Sequence, residues 1–180
     1  MDLILTDPSF LRYGRTDGFG SHTVVDTDSQ QTVTGKLTPV IASTAATVTL
    51  TAAQSGSTFL FDRSSGVSYT LPTPVVGLTY NFITTVLQTS GANVVTSVSA
   101  VFQLGTIYMF SGEHVTPSST LGPYQFAGNG TSHVKTTTNG TTTGGGAGGW
   151  LTYTCLSATL WYVEGLVNSP SGSCATPFST

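Results

Sequence analysis

The chain has 180 residues, a net charge of −3 and only 7% Asp, Glu, Lys and Arg, against roughly 25% in an ordinary soluble domain. A hydrophobic content of 38% with so small a net charge excludes disorder. The acidic balance leaves no basic footprint for nucleic acid or an anionic membrane, and no apolar run approaches the roughly 20 residues of a spanning helix.

Polarity comes instead from 34 Thr and 21 Ser, near a third of the chain, so hydroxyls rather than ions hydrate this surface. The opening Met1–Asp7 has neither a basic start nor a long apolar stretch, so no signal peptide is expected and synthesis is cytosolic. Residues 1–45 read as an arm. They mix Pro8, Gly14, Gly18, Gly20 and Pro39 with short apolar pieces, Leu3, Ile4, Leu5, Phe10, Leu11, Tyr13 and Phe19, without a period that buries a face. Such a terminus becomes ordered by docking onto something else.

From residue 46 to 180 the pattern is a β body. Thr47–Thr51, Phe59–Phe61, Val67–Leu71, Tyr80–Ile83, Asn93–Val98 and Thr106–Phe110 are short β-branched and aromatic runs cut by Ser-Gly, Pro and Val-Gly turns. Runs of this length and spacing predict an all-β fold, an antiparallel β-sandwich or jelly-roll-like body behind the extended N-terminal arm. Residues 131–149, with Thr136–Thr138, Asn139-Gly140 and Gly144–Gly149, are expected as one long exposed Thr/Gly-rich loop. Trp150–Thr154 and Ala158–Gly165 then close the sandwich, and the Ser/Pro/Gly-rich tail Asn168–Thr180 is extended.

Charge is unevenly placed. Residues 1–63 hold Arg12, Arg15, Lys36, Arg63 and six of the eight acids, whereas residues 64–180 contain only Glu113, Lys135 and Glu164. Charge keeps β proteins apart, so the contrast implies a body covered in an oligomer or a larger assembly.

Catalytic constellations are missing. His22, His114 and His133 lie 92 and 19 residues apart and make no metal pair. Asp17, Asp26 and Asp28 read as solvated loop acids, and Glu113 and His114 point to opposite faces of a strand. The glycine run is not followed by Lys-Ser/Thr, and no nucleophile elbow is present. No enzyme, cofactor or metal is expected. Cys155 and Cys174 fit either a bridge closing about 20 residues, worth about 3 kcal/mol, or two free thiols, which cytosolic synthesis favours. Asn129-Gly130-Thr131 and Asn139-Gly140-Thr141 match a glycosylation sequon but read as tight turns. Trp150, Tyr153, Trp161 and Tyr162 fit core or interface packing, or a stacking platform for sugar rings.

The stretch Thr51–Arg63, with its Gly-x-x-Phe strand into Asp62-Arg63, then Gly66–Pro72 with Thr-Leu-Pro, then Gly77–Phe82 with Gly-x-x-Tyr-x-Phe, resembles a module of tailed-phage virion proteins. The closing Trp161–Gly165 strand is similar to the end of that module. The resemblance covers about residues 50–83 and 150–166, near a quarter of the chain, and such modules occur in capsid cement (decoration) proteins and short head fibres, and also in tail-associated parts.

The resemblance implies a homotrimer on the outer capsid surface that clamps neighbouring subunits of the major capsid protein of the same virion. It offers no match for residues 131–149. On this reading Leu3, Ile4, Leu5, Phe10, Arg12, Tyr13, Arg15 and Phe19 contact the capsid. Tyr108, Phe110, Trp150, Tyr153, Trp161 and Tyr162 pack the trimer or the core. No nucleic acid or membrane partner is expected. The competing expectation is a tail-fibre or tailspike tip holding a host surface glycan.

Overall fold

Thr, Val and aromatic residues favour extended backbone, and the turn residues between them keep each run short. The computed structural model describes residues 38–43, 45–111, 123–171 and 173–180. The proposed capsid contacts between Leu3 and Phe19 lie outside the described residues, as do Glu113 and His114.

The strands are β1 (Val40–Ile41), β2 (Thr47–Thr49), β3 (Thr58–Phe61), β4 (Ser68–Thr70), β5 (Thr79–Thr84), β6 (Asn93–Thr96), β7 (Phe102–Ser111), β8 (Tyr124–Asn129), β9 (Lys135–Thr138), β10 (Gly146–Ser157), β11 (Leu160–Ser169) and β12 (Phe178–Ser179). A single 3-10 turn, Ala52–Gln54, is the one helical piece among the described residues.

The strands form two sheets, one ordered β1-β3-β5-β10-β11-β7-β8 and the other β12-β9-β6-β4-β2. The all-β sandwich read from the sequence is therefore the fold, but its pairing is mixed where antiparallel pairing was expected. β1, β3 and β5 are parallel in the larger sheet, and β2, β4 and β6 are parallel in the smaller one. Parallel neighbours need a long return path, and here a strand of the opposite sheet supplies it. The chain alternates between the sheets through its first six strands, so each circuit lays a new strand beside the one before last. The later strands add antiparallel pairs and one further parallel pair, β11 with β7.

This winding has a sequence trace. Val48-Thr49, Tyr69-Thr70 and Val95-Thr96 stack in register across β2, β4 and β6, apolar inward and Thr outward. In the larger sheet Phe59 of β3 faces Phe82 of β5.

The core lies between the sheets. Phe59, Phe61, Tyr80, Phe82, Tyr153, Trp161, Val163, Ile107 and Met109 come from the larger sheet, with Tyr69 and Val95 from the smaller, and all are buried. Tyr69 sits 5.2 Å from Phe82, 5.5 Å from Phe59 and 5.6 Å from Phe61 between ring centroids, which joins the two layers. A polar clamp does the same at β7. Fully buried Gln103 donates through Nε2 to the carbonyls of Val95 and Val134, each at 3.1 Å, and to Ser97 Oγ at 3.2 Å. Its Oε1 accepts from Thr136 Oγ1 at 2.6 Å.

The Thr/Gly-rich segment 131–149 is not one exposed loop. It contains β9, paired with β6 and β12, and the first residues of β10. Gly140, Gly144 and Gly145 are buried. Threonine hydroxyls fill the inner face of β9 at Thr136 and Thr138, both buried, which a compositional reading takes for solvent exposure. Asn129 and Asn139 head tight turns: Oδ1 of Asn129 accepts from the N–H of Thr131, Ser132 and His133, and Oδ1 of Asn139 from those of Thr141 and Thr143.

Candidate functional site

The two outer faces differ in chemistry. On the smaller sheet the outward residues form rows of Thr49, Thr70, Thr96 and Lys135, and of Thr47, Ser68, Val94 and Thr137, a face hydrated by hydroxyls. On the larger sheet one outward row is apolar across five strands: Leu60, Ile83, Trp150, Leu166 and Tyr108. The adjacent row is polar through Thr58, Asn81, Thr152, Glu164 and Thr106, and ends on Ala127.

Where these rows meet over β7, β10 and β11 lies a groove of about 400 Å³. Its walls are Tyr108, Phe110, Trp150, Tyr162 and Pro123, with Thr106, Glu164, Gly165 and Leu166 between them. Trp150, Tyr108 and Phe110 are 43%, 46% and 37% exposed. Among the described residues Glu164 is the sole charged one lining the groove. The two basic side chains among the described residues are elsewhere, Lys135 on β9 of the other sheet and Arg63 in the turn after β3.

The aromatics singled out from the sequence divide by strand parity. Tyr153 and Trp161 are fully buried in the core, whereas Tyr108, Phe110 and Trp150 stand on the outer face and Tyr162 is half-buried beside them. A sugar platform of Trp150, Tyr153, Trp161 and Tyr162 together does not form, because adjacent strand residues, and residues three apart, point to opposite faces. Glu164, Thr106 and Leu166 completed the groove unanticipated. The signal was present in Tyr162-x-Glu164-x-Leu166, whose period of two puts all three on one face.

Burial pushes the titratable hydroxyls and thiols of the interior upward. Tyr153 is displaced furthest, its hydroxyl lying beside Thr136 without a hydrogen-bond partner. Cys155 and Cys174 are free thiols, both raised by burial, and Cys155 Sγ donates to the Ser157 carbonyl at 3.3 Å. Among the described residues no three His, Cys, Asp or Glu converge on a metal position.

A second apolar area lies at one end of the sandwich. Val75 and Val76 are 57% and 70% exposed in the β4–β5 loop, whose Gly77 N–H donates to the Cys155 carbonyl, next to 47%-exposed Leu156. Comparison with known proteins gives no match to this chain, whether to a family model, a curated protein or a solved structure.

Proposed function

We propose that this protein is a structural component of a phage virion, a cement protein that trimerises on the outer capsid surface and clamps neighbouring major capsid subunits. The observation that carries the reading is the imbalance of the described surface. Eleven large hydrophobic side chains are exposed, against four charged residues, Asp62, Arg63, Lys135 and Glu164. A free monomer this poor in charge associates; one built for a lattice has its apolar patches covered.

The end patch of Val75, Val76 and Leu156 is the body's contact surface on this reading, and the apolar and basic residues between Leu3 and Phe19 are the capsid contacts. Three modest arms on one trimer hold as a strong clamp, because each later contact is made at high effective concentration.

The test is a chain cut before Thr38, which keeps β1 and the Pro39 carbonyl that accepts from Thr58 N–H at 2.8 Å. It should remain a trimer by light scattering and fail to decorate heads that lack the protein, while the full chain decorates them. A monomeric full chain overturns the trimer. Decoration by the shortened chain overturns the arm as anchor, and a full chain found on the tail overturns the cement role.

A further inference from the structure

We propose that the groove over Glu164 is a saccharide site that takes one or two pyranose rings of a neutral or amino-sugar glycan. The inference is independent of the head-surface role and of the end patch. It rests on what the larger sheet presents outward between β7, β10 and β11.

A pyranose is an amphipathic disc. Its C–H face stacks on aromatic rings and its rim of hydroxyls donates to fixed acceptors. The groove offers both. Trp150, Tyr108 and Tyr162 supply aromatic surface on three neighbouring strands, each strand about 4.8 Å from the next. Between Tyr162 and Leu166 on β11 stands the Glu164 carboxylate, an acceptor-only group that can take more than one hydroxyl. Thr106 lies directly across from it on β7, and Thr152 on β10. Thr152 Oγ1 is given to Asn81 Oδ1 at 3.0 Å, which leaves Thr106 as the nearer hydroxyl for a ligand. A volume of about 400 Å³ falls at the small-molecule end of binding sites, where an apolar lining with a few placed polar groups is usual.

The same carboxylate argues against the other occupants. A protein laid over this face strips water from Glu164 and must bring a cation to it. Among the described residues a second copy of the body offers none here, since they place Glu164 and no basic residue on this face, and Lys135 belongs to the opposite sheet. Nucleic acid and acidic sugars meet a negative charge that no described residue of the groove offsets. Sugar hydroxyls satisfy a carboxylate without a counter-charge.

Tryptophan emission gives a direct readout, because Trp161 is fully buried and Trp150 lies in the groove. The full chain is titrated with tetrasaccharides of glucose, galactose, glucosamine and N-acetylglucosamine. At least one should change the emission saturably at micromolar to low-millimolar concentration. Trp150→Phe, which silences the reporter but keeps a ring, should retain binding by calorimetry. Trp150→Ala and Glu164→Gln should each weaken it about tenfold or more, while Thr70→Ala on the other outer face leaves it unchanged. No saturable response to any of the four sugars overturns the proposal, as does equal binding by Trp150→Ala and Glu164→Gln. Dissociation of an oligomer by those two variants, without any sugar response, assigns the face to a protein interface instead.

Discussion

Trp150 and Trp161 stand on neighbouring strands of one sheet and point to opposite sides of it. Trp150 is 43% exposed on the outer face; Trp161 is fully buried, its ring 5.8 Å from that of Tyr80. Truncation should separate them. Trp161→Ala is expected to cost about 3–5 kcal/mol by lost burial and cavity, and Trp150→Ala about 1 kcal/mol or less. Trp161→Phe should cost less than the alanine change, because it also removes an indole N–H that has no partner. Denaturant midpoints at constant slope measure all three, and equal losses at 150 and 161 would contradict the placement.

Gln103 joins the sheets through one amide. Replacing it by Leu keeps the volume but leaves the Val95 and Val134 carbonyls, Ser97 and Thr136 facing an apolar group. The expected loss is about 3 kcal/mol, since a buried group left unpaired costs about 1–3 kcal/mol, while the Val134 carbonyl still accepts from the Ser97 N–H at 2.9 Å. Thr136→Val should cost less, and the double variant should fall short of the sum, because the two residues share a bond. An additive cycle would mean that the 2.6 Å contact contributes nothing.

How far the sequence carried differs between levels. Period-two runs around Phe59, Tyr69, Phe82 and Tyr153 identify strands and their buried faces, because burial of one face is a local property. Partner and direction are not local. Nothing in Val67–Leu71 says that β4 lies parallel to β2 and β6, and only the stacked Val-Thr, Tyr-Thr and Val-Thr pairs hint at it. Composition misleads at Thr136 and Thr138, where a Thr/Gly-rich segment predicts a loop but the two side chains are buried on a paired strand. At the groove, parity alone was enough to pair Glu164 with Tyr162, but joining them to Tyr108 and Trp150 needed the register of three strands.

Gly105 occupies the middle of β7, where the strand runs beside β11. Its φ is +143°, and a Cβ there would stand 1.9 Å from the Val163 carbonyl oxygen. Backbone cannot yield that distance without parting the strands, so Gly105→Ala is expected to cost at least about 3 kcal/mol or to abolish soluble expression. Gly56, with φ +83° and open space around the same position, should lose only about 1 kcal/mol on change to Ala. Matched midpoints for the two variants would show that the strands part easily at β7.

Alkaline pH should unfold this body. Tyr69, Tyr80 and Tyr153 are held above the ordinary phenol value of 10.0, and Cys155 and Cys174 above 9.0, in each case mainly by burial. A raised pKa means that the folded chain keeps a proton which the unfolded chain has lost. The stability from these groups is therefore complete below about pH 9 and falls as pH rises beyond it, by up to about 1.4 kcal/mol per pH unit for each group between its unfolded and folded values. Denaturation midpoints should be flat from these groups between about pH 7 and 8.5 and lower at about pH 10.5. Tyr153→Phe removes the most deeply buried phenol, so its decline over the same range should be shallower than that of the unmodified chain. Midpoints that hold level to about pH 11 in the unmodified chain would contradict the burial of these hydroxyls and thiols.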